Sequence, residues 1–268
     1  MVRQSWYHIE NMNKKVAFVI VAYHPDKTSF RELLLHLSPN RVIVIDNGGT
    51  PEIGVTSVGI VHAPKNLGYG AGANLGIRKA LDEGAEWVVV ANQDISVSQK
   101  SIQKFVEALE STPAAIAGPV LGSLEPHRWT TMLGGKKQKY MYVSGSFMAI
   151  HKDVIHDCGQ FYEPYFMYYE EVDLCIRAQN AGFPMVQLKV SGITHEESIS
   201  LGSGSAAHEY YLSRNHLLFL ERCAPWSVRL YEYLRIPKTF IEYQKKGNAG
   251  AVQGMRDYFL RKFDAYEG

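Results

Sequence analysis

The chain has 268 residues, of which 46% are hydrophobic and 21% charged, with a formal net charge of +1. This length suits one α/β domain with extensions, and the balanced charge argues against a nucleic-acid partner. The three cysteines, Cys158, Cys175 and Cys223, are too widely spaced for a disulfide framework or a cysteine zinc site. Residues 1–14 lack the apolar stretch of a signal peptide, which predicts a flexible tail on a cytoplasmic protein.

The first half of the chain alternates predicted strands and helices. Continuous apolar runs predict buried strands at 16–22, 41–45, 58–62 and 87–91. Helices are predicted from an N-cap at Thr28 or Ser29, over 70–83, and from an N-cap at Ser98 to about Leu109. This repetition indicates a mainly parallel sheet with helices on both faces, and ligands bind such sheets outside the carboxyl ends of the strands.

The second half is less regular. Strands are predicted at 141–150 and 183–190, a helix at 171–181, and helices from His208 onward. Residues 222–268 carry nine Lys/Arg and five Asp/Glu, interleaved with aromatic residues. This C-terminal extension is interpreted either as a membrane-surface element or as helices that pack on the main domain or on a second subunit of a homodimer.

The segment 66–76 reads NLGYGAGANLG and allows three interpretations. Its match to a dinucleotide-binding fingerprint is loose, and two strands with polar ends already precede it, which disfavours an NAD site. The glycines could instead allow a helix to pack closely at its entrance. The favoured interpretation is a backbone surface that a nucleotide approaches, with Asn66 and Asn74 as polar contacts.

Acidic residues follow predicted strands or begin a predicted helix. Asp94 ends the fourth strand, where a carboxylate could bind Mg²⁺ or Mn²⁺ on a substrate diphosphate or could simply cap the following turn. Glu170, Glu171 and Asp173 lie at a helix start, where they could stabilise the helix dipole or supply a general base. Asp173 could also form an i, i+4 surface pair with Arg177.

The order of several short segments along the chain is informative. They are VIVAY at 19–23, VIDN at 44–47, NLGYGAGANLG at 66–76, NQD at 92–94, SGS at 144–146, YEEVDLCIR at 169–177 and YYLSRN at 210–215. Together with His195, they resemble the family 2 glycosyltransferases of the GT-A fold. The resemblance is greatest to the rhamnosyltransferase-like branch that builds bacterial surface polysaccharides such as O-antigen.

The resemblance implies a GT-A type, Rossmann-like, mainly parallel sheet flanked by helices. It divides the chain into a nucleotide-binding half at 15–110, an acceptor and catalytic half at 111–221, and a helical C-terminal extension at 222–268. It implies Glu171 as the catalytic base and a metal site formed by Asp94 and His195. The implied donor contacts are Ala22, Tyr23, Asp46, Asn66, Gly68, Tyr69, Gly70, Asn74, Gln93, Asp94 and Arg214. The implied acceptor contacts are Ser144, Gly145, Glu170 and Asp173.

The implied activity is inverting transfer of a sugar, by branch resemblance rhamnose, from a dTDP- or UDP-sugar with Mg²⁺ or Mn²⁺. The acceptor would be a glycan or a lipid-linked glycan, handled in the cytoplasm or on the inner face of the cell membrane. Two positions depart from the family pattern: Asn92 replaces an aspartate of the metal motif, and Glu171 replaces the shorter catalytic acid. They motivate the alternative of a nucleotide-sugar-binding protein without catalysis, while an NAD-dependent oxidoreductase is a more distant alternative.

Overall fold

The structure is a computed structural model that describes residues 15–55, 57–134, 138–195 and 204–266. The predicted tail at 1–14 lies outside the described residues. The strands are β1 (Val16–Ala22), β2 (Arg41–Asp46), β3 (Val58–His62), β4 (Trp87–Asn92), β5 (Ile95–Val97), β6 (Ile116–Gly118), β7 (Leu121–Leu124), β8 (Thr131–Leu133), β9 (Met141–Val143), β10 (Phe147–His151), β11 (Met185–Gln187) and β12 (Ile193–His195). The helices are α1 (Lys27–Leu37), α2 (Tyr69–Asp82), α3 (Gln99–Ser111), α4 (Lys152–Cys158), α5 (Glu170–Asn180), α6 (Ala206–Cys223), α7 (Trp226–Lys245) and α8 (Ala249–Phe259).

The central sheet has the strand order β11-β6-β10-β4-β1-β2-β3 within the described residues. The four strands β4, β1, β2 and β3 are parallel, β11 is parallel to β6, and β10 runs antiparallel to both β4 and β6. Two small antiparallel sheets, β8-β7-β9 and β12-β5, lie beside it. The prediction of a mainly parallel sheet in an α/β fold is therefore confirmed.

Helices cover both faces of the central sheet and enclose two hydrophobic clusters. Alternate residues of β1 point to opposite faces, so that Val19 belongs to one cluster and Phe18 to the other. Helices α2, α5 and α6 contribute to the first cluster, and α1 and α3 to the second. This sandwich fixes the carboxyl ends of β1, β2 and β4 at one edge.

Two local predictions are wrong. The predicted strand at 141–150 is two strands, because the turn at 144–146 lets β9 pair with β7 while β10 enters the central sheet. Helix α1 is capped by Asp26 and not by Thr28 or Ser29. The Asp26 carboxylate accepts both the backbone N–H and the hydroxyl of Ser29, each at 2.9 Å.

The C-terminal helices pack on the main domain. The predicted boundary between 221 and 222 falls inside α6, which continues to Cys223. Helix α8 approaches α6 so closely that a Cβ atom at Gly250 or Gly254 would lie 2.1–2.3 Å from backbone oxygens of α6. Among the described residues, no helix is both long and apolar enough to cross a membrane.

Candidate active site

Polar residues from three strands meet at the carboxyl edge of the central sheet. In the strand register, Ala22 lies beside Asp46 and Val21 beside Asn92. Gln93 extends this pairing, since its side-chain oxygen accepts the Tyr23 N–H at 2.7 Å and its amide donates to the Tyr23 carbonyl at 3.0 Å. The sequence prediction of a site at this edge therefore has a defined scaffold.

The exposed side chain at this edge is Tyr23, with 47% of its surface accessible, and its ring packs against Gly48. Beside it, Asp46 accepts the N–H groups of Gly48 and Thr50 at 3.1 and 3.2 Å, and its other oxygen lies 2.9 Å from Nδ1 of His62. Burial opposes ionisation, but hydrogen bonds from Thr50, His62 and the turn lower the pKa of Asp46 to about 2. Asp46 is therefore a fixed anion that shapes the 46–50 turn next to an exposed ring.

Ala22 presents no side-chain surface for a donor. It is completely buried, and its carbonyl accepts the N–H of Asn47 at 2.8 Å. Its contribution is to fix the direction in which the chain leaves β1 towards Tyr23.

The glycine-rich segment forms the start of α2 and is packed mainly against protein. Gly68 has φ +81°, and a Cβ atom there would lie 2.4 Å from the backbone oxygen of Phe166. A Cβ at Gly76 would lie 2.2 Å from Val19. Gly70 is less restricted, with the nearest atoms at 3.5 Å. At Gly68 and Gly76 the structure therefore supports the close-packing alternative over direct approach of a nucleotide.

The two asparagines of this segment also bond within the protein. Asn74 is 2% exposed, and its amide donates to the Phe161 carbonyl at 2.9 Å while its oxygen accepts the Phe161 N–H at 3.1 Å. The predicted donor contact of Asn74 is therefore not supported, because both ends of its amide hold the 161 segment. The half-buried Asn66 accepts from Asn47 and from the N–H of Gly68, both at 2.9 Å, and so shapes the loop before α2.

Tyr69 marks the point where the acidic residues converge. Its hydroxyl donates to the Gly145 carbonyl at 2.7 Å. Burial raises the pKa of this hydroxyl well above its ordinary value, and the negative charges of Glu170, Glu171 and Asp94 add to the increase. Three carboxyl groups from two separate parts of the chain therefore lie within electrostatic reach of one buried phenol.

Glu171 lies against the 144–146 turn. A Cβ atom built at Gly145 would be 3.2–3.4 Å from Cβ, Cγ and Cδ of Glu171, so the glycine leaves the space that the longer acid occupies. The turn itself is held beside β4, since Ser146 accepts the Asn92 N–H at 2.9 Å and the hydroxyls of Ser144 and Ser146 are 3.0 Å apart. The structure thus brings the predicted acceptor residues Ser144 and Gly145 next to the predicted base.

Glu170 is buried and its neighbour Glu171 is half-buried. One oxygen of each, Oε2, is shielded from solvent and has no hydrogen-bond partner among the residues that the structure describes. Burial raises the pKa of Glu171 to about 6, against the lowering effect of backbone N–H groups at the start of α5. Burial and the neighbouring Glu171 raise the pKa of Glu170 further. At neutral pH Glu171 is therefore ionised but basic enough to accept a proton.

Asp173 does not face this site, which corrects its assignment as an acceptor contact. It is completely buried, with its two oxygens 2.5 Å from Nε of Arg177 and 2.7 Å from Nε of Arg222. The hydroxyl of Tyr165 donates to it at 3.1 Å. Burial opposes ionisation, yet the two arginines hold the pKa of Asp173 below its ordinary value. Asp173 anchors α5 to α6. Its predicted ion pair with Arg177 therefore lies largely inside the protein and not on the surface.

Arg214 is also structural, which corrects its assignment as a donor contact. Its side chain is fully buried and donates to the backbone carbonyls of Tyr165 at 2.7 Å and Asp264 at 2.9 Å. The rings of Tyr210 and Tyr211 lie about 5 Å from the guanidinium carbon. No guanidinium surface is left for a diphosphate.

Asn215 is a positioning residue to which the sequence assigned no role. Its amide donates to the carbonyls of Tyr165, Met167 and Tyr168 at 2.6–3.0 Å. These bonds hold a segment in which Tyr168 and Tyr169 have φ values of +66° and +75°, a left-handed conformation that is costly for such side chains. The strained segment leads directly into Glu170, and the only sequence signal was the Arg-Asn pair in the segment YYLSRN.

The predicted metal ligands are related through the backbone. In the register of β12 with β5, His195 pairs with Ile95, the residue after Asp94. The side chain of His195 lies outside the described residues. Within the described part of the chain, no group of three or more His, Cys, Asp or Glu side chains could hold a metal ion. Of the two predicted ligands, the structure describes the side chain of Asp94, and a carboxylate is a type of ligand that Mg²⁺ and Mn²⁺ accept.

Comparisons with known proteins agree with this architecture. A family model described as Glycosyl transferase family 2 matches residues 19–162, more than half of the chain. An N-acetylglucosaminyl-diphospho-decaprenol L-rhamnosyltransferase from Mycobacterium tuberculosis is 29% identical over 267 residues, covering 80% of this chain and 87% of the relative. A dTDP-rhamnosyl transferase, RfbF, from Shigella flexneri is 24% identical over 286 residues, covering 91% and 97%.

A solved structure shares the fold. The S. aureus TarS fragment 1–349, in complex with UDP-GlcNAc, superimposes with a TM-score of 0.54 at 12% identity. The match covers 92% of this chain and 81% of that one. Because the family model spans most of the sheet and the site edge, and because the fold agrees, this chain belongs to glycosyl transferase family 2, of the GT-A fold and with rhamnosyltransferase-like relatives.

Proposed function

We propose that this protein transfers a sugar, rhamnose in the first instance, from a nucleotide-diphosphate sugar to a glycan acceptor with inversion at the anomeric carbon. The observation that carries the proposal is the Glu171 carboxylate. It has an oxygen that no described residue engages, and it lies beside the Gly145 turn at the carboxyl edge of the sheet. A positioned carboxylate with a pKa of about 6 suits a general base that works near neutral pH.

The donor would lie along the strand ends. Tyr23 offers an exposed ring on which a nucleobase can stack, and the Gln93 pairing fixes the backbone behind it. Asp46, which is ionised and held by the 46–50 turn, would accept hydrogen bonds from a nucleoside. The exposed ring and the acidic cluster around Tyr69 are joined by the β4–β5 turn, which carries Asp94.

The acceptor hydroxyl would reach Glu171 from the side of the 144–146 turn. In this geometry Glu171 accepts the hydroxyl proton as the acceptor oxygen attacks the anomeric carbon, and the bond to the donor phosphate breaks on the opposite face. Burial and the Glu171 charge raise the pKa of Glu170, which favours its protonated form, and in that form it would donate a hydrogen bond to a sugar oxygen. The Tyr69 hydroxyl donates to the Gly145 carbonyl and so links α2 to this turn.

Asp94 would hold Mg²⁺ or Mn²⁺ together with the donor diphosphate, and His195 is the second candidate ligand through its register beside Ile95. Such a cation neutralises negative charge on the departing nucleotide. The names of two relatives support the donor and acceptor classes proposed here: one is a dTDP-rhamnosyl transferase and the other an N-acetylglucosaminyl-diphospho-decaprenol L-rhamnosyltransferase. A dTDP-sugar and a lipid-linked glycan are therefore the first substrates to test, ahead of UDP-sugars.

The test combines binding and turnover. Thermal-shift titrations with dTDP-rhamnose, UDP-GlcNAc and NADH should show stabilisation by a nucleotide sugar, because a ligand that binds only the folded state raises its apparent stability. Transfer of radiolabelled sugar to a diphospho-polyprenol glycan is then measured with Mn²⁺ and with EDTA. Donor binding with neither sugar transfer nor hydrolysis of the donor would favour a non-catalytic binding protein. Stabilisation by NADH alone would contradict the proposal.

A further inference from the structure

Helix α7 exposes a row of large apolar side chains on its outward face. Of its 20 residues the fully buried one is a glutamate, Glu232, and the apolar residues of its inward face are half-buried against the main core. Trp226 is 71% accessible, Leu230 50%, Leu234 75% and Ile241 49%. A surface helix ordinarily buries its apolar face and exposes its charges. The outward face of α7 is therefore an apolar surface that the described part of the chain leaves uncovered.

The exposed residues form one stripe. At 100° per residue, Trp226, Leu230, Leu234 and Ile241 fall within an arc of about 80° on the helix surface. The stripe continues towards α8, where a groove of about 420 Å³ opens between Tyr233 on α7 and Phe259 on α8. Phe259 and the following Leu260 are themselves 58% and 63% exposed. Contiguous apolar surface of this kind marks an interaction site on a folded protein.

Positive charges flank the stripe. Lys238 and Lys245 lie on one side of it by helical position, and Lys246 and Lys262 are exposed at the ends of α7 and α8. One acid on the outward face of α7, Glu242, lies 3.8 Å from Lys238. The region 222–268 carries a net charge of +4 by its nine basic and five acidic residues. An apolar stripe flanked by lysines is the pattern of a helix that lies in the plane of an anionic membrane surface.

We propose that the outward face of α7, together with the exposed tip of α8, docks the protein on an anionic lipid bilayer. A second copy of the chain suits this face less well, because a two-fold interface with antiparallel α7 helices would bring the lysines on one side of the stripe near those of the other copy. An anionic bilayer provides both the apolar interior for the stripe and the negative headgroups for the lysines.

The anchoring of α7 makes this docking relevant to the acceptor. The buried Glu232 accepts from Nε of Arg128 at 2.9 Å, and the Arg128 carbonyl is 2.9 Å from Nε2 of His216 on α6. Helix α6 also carries Asn215, which fixes the segment before Glu170. Helix α7 is thus joined to the half of the domain that bears the candidate base. This aspect of the inference rests on the proposed function: docking would hold the acceptor side of the site near a lipid-linked substrate.

The direct test is co-flotation of the full chain with phosphatidylcholine vesicles that contain or lack phosphatidylglycerol. We expect binding to the anionic vesicles that decreases with added salt. Replacement of Lys238, Lys245 and Lys246 by Gln should weaken it about a hundredfold, because each basic residue near an anionic surface contributes a factor of about five. A double variant, Leu230→Gln with Leu234→Gln, should weaken it at least about tenfold.

Matched controls separate this surface from general effects. Leu35 is 44% exposed on α1, and Lys27, Lys100 and Lys104 are exposed on α1 and α3. Substitution of these residues by Gln should leave vesicle binding unchanged. The thermal midpoint of every variant is measured without lipid, so that a folding defect is recognised. Brominated lipids should quench fluorescence of the wild type more than that of Trp226→Phe, because Trp226 is exposed whereas Trp87 and Trp129 are buried.

Three outcomes would overturn the proposal. The first is no binding of the folded wild type to anionic vesicles at low salt, and the second is equal binding of the wild type and the α7 variants. The third is a lipid-free dimer that the Leu230 and Leu234 substitutions dissociate, since this would assign the face to a second copy. Vesicle binding is measured without donor or acceptor, so it can succeed even if the proposed transferase activity fails. Conversely, transfer to a water-soluble acceptor should be unaffected by the α7 substitutions.

Discussion

Replacement of Glu171 by Gln should have opposite effects on activity and on stability. The substitution keeps the size of the side chain, so the contact with the Gly145 turn remains, but it removes the proton acceptor. Loss of a positioned general base should lower kcat by about 10²- to 10⁴-fold. Donor affinity should stay within about threefold of the wild type, because the expected donor contacts lie at the strand ends.

The stability effect follows from the pKa of Glu171. Its pKa is about 6 in the folded chain against an ordinary value of 4.5, so folding favours the protonated form. Below about pH 4.5 Glu171 is protonated in both the folded and the unfolded chain, so its ionisation does not change the free energy of unfolding. As pH rises through 6 the wild type loses about 2 kcal/mol of unfolding free energy, which it does not regain at higher pH. Glu171→Gln should therefore be more stable than the wild type by about 2 kcal/mol at about pH 8, with no such advantage near pH 4.

The assays are initial rates of nucleotide release with acceptor present and urea unfolding at both pH values. The wild-type kcat should rise with pH around an apparent pKa of about 6 and level off above it. Glu107→Gln, at an exposed position on α3, is the matched control and should change neither quantity. Near-normal turnover of Glu171→Gln would refute its role as base. A stability difference that does not change between the two pH values would refute the argument from burial.

Three further substitutions test the structural assignments. Asp173→Asn leaves two arginines without their shared buried carboxylate and should cost about 3–5 kcal/mol in urea unfolding, whereas a role confined to the acceptor would alter KM alone. Gly76→Ala should cost about 1–3 kcal/mol, because its Cβ would lie 2.2 Å from Val19, while Gly70→Ala should keep stability and report any backbone contact with donor through its Kd. Tyr69→Phe removes one hydrogen bond of 2.7 Å and should lower kcat about 2- to 10-fold in single-turnover assays, and an unchanged kcat would contradict a positioning role.

The core strands could be predicted from sequence because their signal is local. A run such as 16–22 is apolar throughout, which few structures other than a strand buried on both faces accommodate. The predicted strand 58–62 has the observed bounds. The prediction of a single strand at 141–150 was wrong because the signal that divides it is not local. Both halves are strand-like in sequence, and only their pairing with different sheets separates them at the 144–146 turn.

The site residues show the same division. Position left the roles of Asp94 and Glu171 open, and the family resemblance singled them out; both lie within electrostatic reach of Tyr69. Asp173 belongs to the same acidic run as Glu171, yet it points the other way, towards arginines of α5 and α6. Arg214 is likewise held inside the protein, because its partners are backbone carbonyls about 50 residues away along the chain. Sequence spacing cannot reveal partners of that kind.

The sequence by itself therefore determined the parallel sheet, the edge at which its polar residues collect and the family to which the chain belongs. These features depend on hydrophobic periodicity and on the order of short segments, both of which are properties of the linear chain. The tertiary structure decided which acids are free to act. Two carboxylates of one helical turn, Glu171 and Asp173, differ because one lies against a glycine at the site edge and the other is enclosed by two arginines. It also showed that α7 exposes a row of large apolar side chains, since the direction of a helix face is fixed only by what packs against it.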